Sequence, residues 1–258
     1  MTSLADQPDF ARKLAEITEE AAGIILPYWR TGLVAESKAD DSPVTEADRE
    51  AELLILERLT GLWPEVPTVA EEAAALHGVP EQAADRFFLI DPLDGTRGFV
   101  RGSKNFTVNI GLIENRRPVA GAITAPALGV SWRGGPDGAW KKKVDQAEWT
   151  PIGVRPRPAQ AVAVLSHAMG ERGIAKLKAR HPFERWEAAA SSVKFCFLAE
   201  GRYDLYPRTG PTSEWDTAAG QAILQAAGGR MTTPEGEPFL YNKPGFRNGD
   251  FVAYGGEV

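Results

Sequence analysis

The chain has 258 residues, 43% hydrophobic and 25% charged, enough for one large domain or two joined lobes with an ample core. Its net charge of −6 argues against a nucleic-acid binder working through a broad basic face, while leaving room for a small anion in one locally cationic cleft. The single Cys196 excludes an internal disulfide framework and fits a reducing, cytoplasmic setting.

Phe10, Leu14, Ile17, Ala21 and Ile24 recur at helical spacing, which predicts a first helix ending near Pro27. The segment before it, Met1 to Phe10, carries two aspartates and no basic run, so it does not read as a signal peptide. After a polar stretch from Glu36 to Ser42, a second helix is expected from Thr45, with Ala47, Ala51, Leu54, Ile55 and Leu59 on one face. Strands are expected at 87–90, 106–113, 119–125 and 130–132, the second and third joined as a hairpin through Glu114–Pro118. The Gly- and Pro-rich stretch 134–158 divides the chain into lobes at 1–140 and 141–258. Beyond it come a strand at 161–165 and helices near 170–179, 192–200 and 216–227, the last closed by Gly228-Gly229. Cys196 falls in the apolar run Val193–Leu198 and reads as a buried, inert thiol. No apolar stretch approaches membrane-spanning length. The order of elements gives an α/β or layered α+β protein without choosing its topology.

Phe87–Ile90 reads as a buried strand that ends abruptly in Asp91-Pro92-Leu93-Asp94-Gly95-Thr96. Pro92 stiffens the turn, Gly95 lets backbone approach a ligand, and the following N–H groups could hold an anion. Oxygen ligands beside such donors suit a Mg²⁺-dependent phosphoryl site, although Asp-Pro and Asp-Gly are also common turn pairs. Further acids stand at Asp48, at Glu71-Glu72 and at Asp216 in Trp215-Asp216-Thr217-Ala218-Ala219-Gly220. Each also has a structural explanation: a capping box from Thr45 to Asp48, a solvated turn at Glu71-Glu72, and dipole complementation at Asp216.

Taken together, these fragments resemble the metal-dependent, lithium-sensitive phosphatase superfamily typified by inositol monophosphatase. The resemblance rests on Glu71-Glu72, Asp91-Pro92-Leu93-Asp94-Gly95-Thr96 and Trp215–Gly220, and spans both halves of the chain. It implies a layered α/β (α+β) fold, the αβαβα sandwich. It also implies two or three Mg²⁺: one held by Glu71, Asp91 and the Leu93 carbonyl, a second by Asp91, Asp94 and Asp216, with Glu71 sharing a weaker third. Glu71 is thereby tied to catalysis, Thr96 and Asp48 would orient and deprotonate the attacking water, and the Gly95 and Thr96 amides would hold phosphate oxygens. Members of the superfamily often form homodimers, and the sequence leaves the oligomeric state open.

Further stretches look similar to the 3′(2′),5′-bisphosphate nucleotidase branch: Lys38–Thr45, Ser191–Cys196, Tyr203–Arg208 and Lys243–Asn248. A bisphosphate needs a second anion site, and Ser191, Lys194 and Arg208 could supply it. His167 would lie near the nucleotide. The branch usually follows Gly-Thr with Lys-Glu-Phe, where this chain has Arg97-Gly98-Phe99. The expected activity is Mg²⁺-dependent release of the 3′-phosphate of 3′-phosphoadenosine 5′-phosphate, serving sulfate assimilation. Its rivals are an inositol-phosphate, fructose-bisphosphate or histidinol-phosphate phosphatase on the same scaffold, and a catalytically silent nucleotide- or metal-binding protein.

Overall fold

In the computed structural model, which describes residues 2–31, 36–37, 43–167 and 169–256, the four apolar residues before Asp91 divide between two cores. Phe87 and Leu89 belong to one hydrophobic cluster, Phe88 and Ile90 to another. Neighbours along a strand face opposite sides of the sheet, so a strand apolar throughout must be covered on both.

The first part of the chain contains α1 (Phe10–Thr31), two short strands β1 (Glu36–Ser37) and β2 (Pro43–Val44), and α2 (Glu46–Leu62). It continues through β3 (Thr68–Ala70), α3 (Glu71–His77), β4 (Arg86–Asp94), α4 (Thr96–Val100), β5 (Thr107–Glu114) and β6 (Arg117–Ala125). Strands β7 (Val130–Gly135), β8 (Gly138–Lys143) and β9 (Thr150–Ile152) follow. The remainder holds β10 (Val162–Ser166), α5 (Glu171–Arg180), β11 (Arg185–Ala189), α6 (Val193–Ala199), β12 (Leu205–Arg208) and β13 (Thr212–Ser213). It ends with α7 (Ala218–Ala226), β14 (Arg230–Thr232), β15 (Arg247–Asn248) and β16 (Phe251–Tyr254).

A seven-stranded sheet runs β3 through β9 in sequence order, antiparallel except for the parallel β3–β4 pair. A five-stranded sheet has the order β11-β10-β12-β16-β14. Helices α1 and α2 cover one face of the larger sheet. Helices α6 and α7 lie between its other face and the smaller sheet, and α5 packs outside that sheet. The layers therefore follow the αβαβα order that the resemblance implies. No helix among the described residues is long and apolar enough to cross a membrane.

One contact fixes the middle layer. Gly111, Gly121 and Gly134 pair across β5, β6 and β7. A Cβ on them would stand 2.7 Å from Ala218 Cβ, 2.7 Å from Ala219 Cα and 2.6 Å from Ile223 Cα, respectively. Helix α7 thus rests on bare strand backbone, nearer than any side chain allows.

Several expectations need correction. Helix α1 does not stop near Pro27 but carries it internally and runs on to Thr31. Burial of Leu14, Ala15, Ile17, Ala21, Ala22 and Ile25 against the sheet outweighs the roughly 3 kcal/mol cost of an internal proline. The strand at Phe87 does not end at Ile90, because β4 continues through Asp94. Asp216 is not in α7, which starts at Ala218, but closes a separate 3-10 turn, Glu214–Asp216. Beyond the expected strand at 130–132, the larger sheet continues through β8 and β9 to Ile152.

Candidate active site

The centre of the site is an irregularity in β4. Asp91 pairs with Asn109 and Asp94 with Thr107, so Pro92 and Leu93 together stand opposite Val108. In a regular strand, residues three apart face opposite sides. The extra residue of the bulge cancels that alternation and turns both carboxylates toward one end of the sheet. Pro92, which has no N–H to give a ladder, falls in the bulge where none is needed. The Leu93 N–H donates to Asp91 Oδ1 at 3.0 Å, closing the turn with one of its own acids.

Helix α2 delivers Asp48. Its Oδ2 accepts from the Thr45 N–H at 2.8 Å and the Thr45 hydroxyl at 2.6 Å, so the capping-box reading holds. Its Oδ1 lies 3.3 Å from Thr96 Oγ1, which stands 2.9 Å from the Leu93 carbonyl oxygen. The same carboxylate therefore caps a helix and faces the site. Glu71 and Glu72 form the start of α3, a helix that the sequence reading did not include, so they are not a solvated turn. Glu72 is buried and Glu71 partly so. An Ala-Ala-Ala-Leu run after the acid pair is the signal that could have revealed it.

Asp216 is placed by its turn. Its Oδ2 accepts from the Ser213 N–H at 2.8 Å. Buried Glu214 beside it accepts from the amides of Asn242 at 2.8 Å and Lys243 at 3.0 Å, and pairs with Lys243 Nζ at 2.7 Å. Asn248 Nδ2 donates to the Ser213 carbonyl at 2.7 Å. The Lys243–Asn248 stretch thus holds the Asp216 turn. Residues 38–42 of the Lys38–Thr45 stretch lie outside the described residues.

Folding brings ligand atoms of Glu71, Asp91 and Asp216 within 4.8 Å of one another, from three elements far apart in sequence. Burial raises the Asp91 carboxyl well above the usual carboxylate range, and Glu71, Asp94, Asp216 and Asp48 push it further. Asp216 is raised likewise by burial, then by Asp94 and Glu71. Asp94 is raised by burial, against the opposing pull of Lys194 and the Ser192 amide. Hard oxygen donors crowded together out of water, each disfavouring the charge of the next, fit a divalent cation such as Mg²⁺.

A cavity of about 500 Å³ opens beside Asp94 and Asp216. Gly95, His167, Ser191, Lys194 and Arg208 line it, so five of the six expected substrate-binding residues share one wall system with the acids. Thr96, the sixth, faces Asp48 instead. Lys194 is only 4% exposed, and its Nζ donates to the Ser191 carbonyl and lies 5.0 Å from the Tyr206 ring centroid. Burial lowers its ammonium to about 8, with Asp94 acting in the opposite sense. Arg208 Nε has no hydrogen-bond partner in the described structure. The sequence reading missed Arg97 in α4 and Arg101 at its C-cap as lining residues, and Tyr206 on the opposite sheet. The Arg-Gly-Phe departure marked the spot: a Cβ on Gly98 would lie 3.3 Å from Ser103 Cβ, so glycine keeps that wall open. A larger cavity of about 700 Å³, around Trp132, Phe197 and Arg202, is lined by none of Asp48, Glu71, Asp91, Asp94 and Asp216.

The layering and the acid-lined cavity define a layered α/β protein with a cluster of carboxylates at the end of its larger sheet. The chain belongs to the inositol monophosphatase family, whose model matches residues 7–252. It is 40% identical over 218 residues to the 3′(2′),5′-bisphosphate nucleotidase CysQ of Escherichia coli K12, covering 82% of this chain and 87% of that one. It is 42% identical over 217 residues to the protein of the same name from Salmonella typhimurium LT2, covering 81% and 86%. Among solved structures, CysQ from Bacteroides thetaiotaomicron superposes with a TM-score of 0.78 at 32% identity, over 97% of this chain and 98% of that one. An inositol monophosphatase from Zymomonas mobilis gives 0.77 at 29% identity, over 99% and 95%.

Proposed function

We propose that this protein is a Mg²⁺-dependent phosphomonoesterase that removes the 3′-phosphate of 3′-phosphoadenosine 5′-phosphate, giving AMP and phosphate. The observation that carries the reading is the meeting of the Glu71–Asp91–Asp216 trio with a cavity lined by Lys194 and Arg208. The relatives named as bisphosphate nucleotidases support the choice of substrate.

In this reading Glu71, Asp91, the Leu93 carbonyl, Asp94 and Asp216 hold two or three Mg²⁺. The Leu93 oxygen lies 2.9 Å from Thr96 Oγ1 and has its lone pairs for a cation once that hydroxyl turns to Asp48. Bound Mg²⁺ supplies the charge that lowers the pKa of the attacking water and stabilises the leaving oxygen. The Thr96 hydroxyl donates to Asp48 Oδ1, which leaves an Oγ1 lone pair to accept from that water and orient it, with Asp48 as the base at the end of the relay. The amides of Gly95 and Thr96, at the left-handed entry to α4, face the phosphate oxygens. Arg208 and the Ser191 hydroxyl hold the phosphate that stays, with the charge of Lys194 beneath them, and His167 stands toward the nucleoside. Lithium inhibition and a place in sulfate assimilation go with this assignment.

The test is phosphate release with Mg²⁺ present, comparing the adenosine bisphosphate with inositol 1-phosphate and fructose 1,6-bisphosphate. The expected kcat/KM preference for the nucleotide is at least about 100-fold, roughly 2.7 kcal/mol of transition-state discrimination. Preference for either sugar phosphate moves the specificity elsewhere on the same scaffold. No release from any of the three rejects the enzyme reading.

A further inference from the structure

Helix α3 begins with the ligand candidate Glu71 but has only seven residues and no capping side chain of its own. Its N-cap residue is Ala70, which has no oxygen to offer the first amides of the helix. So short a helix does not hold itself in water. The missing acceptors come from elsewhere in the chain. Glu52, on α2, accepts from the Glu72 N–H through Oε2 at 2.8 Å and from the Ala73 N–H through Oε1 at 2.7 Å. The Glu52 residue is 5% exposed, and each of its carboxylate oxygens takes one amide of the first turn of α3.

Glu52 stands one helical turn after Asp48, and both are buried on α2 together with Ala51 and Ile55. One rigid helix therefore carries the partner of Thr96 and also fixes the backbone that presents Glu71. A buried carboxylate on the apolar side of an amphipathic helix is costly unless it is bonded, and these two amides give each of its oxygens a donor.

We infer that Glu52 is a positioning residue for cation binding: it clamps the first turn of α3 and so holds Glu71 in register with Asp91 and Asp216. Its carboxylate acts through the α3 backbone and is not itself a ligand in this assignment. The inference rests on Glu71 being a cation ligand, as the proposed function has it. A ligand whose anchoring shell is removed typically loses 10–100-fold in metal affinity.

The discriminating variant is Glu52→Gln, which keeps volume but turns an amide NH₂ toward one of the two N–H donors. Mn²⁺ binding to the full chain, followed by electron paramagnetic resonance of the free ion, should weaken by about tenfold or more. Glu52→Asp, one methylene short, should fall in the same direction. Hydrogen exchange at the amides of Glu72 and Ala73 should accelerate in both variants relative to the rest of α3. Glu71→Gln is the control in the same titration. If Glu71→Gln weakens Mn²⁺ binding and folded Glu52→Gln does not, Glu52 is not a positioning residue. If Glu71→Gln leaves the affinity unchanged, the ligand reading fails and the inference with it. Should both Glu52 variants fail to fold, the wild-type protein decides: amides of Glu72 and Ala73 exchanging at unprotected rates overturn the clamp.

Discussion

Asp94 and Lys194 grip the two poles of a single peptide group. Asp94 Oδ2 accepts the N–H of Ser192, while Lys194 Nζ donates to the carbonyl of Ser191, the other end of the same peptide bond. Ser191 has φ of 53°, a left-handed conformation that a non-glycine residue adopts at a cost of order 1 kcal/mol or more. The pair offsets that strain and holds the Ser191 side chain at the wall of the cavity. A cation ligand candidate and a cavity-lining loop are thereby tied together.

Loss of Lys194 should therefore do two things at once. Lys194→Met removes the donor to the Ser191 carbonyl and the cation that offsets the Asp94 charge, and an acceptor left unsatisfied costs about 1–3 kcal/mol. We expect kcat to fall at least about tenfold on every phosphomonoester, because Asp94 and the loop both shift. KM should rise more for the adenosine bisphosphate than for inositol 1-phosphate. Steady-state kinetics on both substrates, with a melting curve to confirm folding, check this, and unchanged kcat on the monophosphate would remove the peptide grip from the mechanism.

Arg208 calls for a simpler result. Its guanidinium lines the cavity without contacting the carboxylate trio through a hydrogen bond among the described residues. Arg208→Ala should raise KM for the bisphosphate by about tenfold or more, the value of one charge-assisted contact, with little change for inositol 1-phosphate. Equal effects on the two substrates would mean that Arg208 does not read the second phosphate.

The acid cluster has a sign that can be tested without substrate. Asp91 and Asp216 have folded pKa values above their unfolded ones, near 3.9. Below that value both states are protonated and the stability contribution of these groups is fully present. As pH rises toward the folded values, the unfolded chain has released protons that the folded chain retains, and stability is lost. Asp216→Asn removes one of the mutually repelling charges while keeping an oxygen for the Ser213 N–H. In EDTA its Tm should exceed that of the wild type by about 2 °C or more, and the gap should widen from about pH 5 to about pH 8. Adding Mg²⁺ should reverse the order, and turnover should be lost. A wild-type Tm in EDTA that exceeds the variant's at the higher pH would contradict the electrostatic account.

The glycine contact under α7 predicts a coupling between packing and the site. Gly121→Val forces side-chain atoms into the 2.7 Å gap beneath Ala219, and overpacking of this kind costs about 1–3 kcal/mol. Because the Asp216 turn leads directly into α7, displacement of the helix should also weaken Mn²⁺ binding measured below the Tm. A stable variant with unchanged affinity would show that the turn is held by the Glu214 and Asn248 bonds alone.

Much of this molecule could be read from its residues. The run Phe87–Ile90 announced a strand covered on both faces, because four consecutive apolar residues cannot alternate with solvent. The spacing of Phe10, Leu14, Ile17 and Ala21 announced α1, since local periodicity follows from 3.6 residues per turn. The acids at 48, 71, 91, 94 and 216 were legible as motifs, and the first, third and fourth sit where a chain-local argument could put them, at a cap and at the end of a strand.

Only tertiary structure decided the rest. The bulge at Pro92-Leu93 exists because β4 must pair with β5 while turning two acids the same way, a demand that no single strand expresses. Helix α1 passes through Pro27 because a sheet lies under it. Lys194 reads as an anion-site cation in the sequence, yet only folding buries it against Ser191 and Tyr206. Glu52 meets its two amide partners only when α3 is laid across it. In each case the deciding energy comes from a neighbour distant in sequence, and sequence spacing holds no record of which desolvated group will meet which partner.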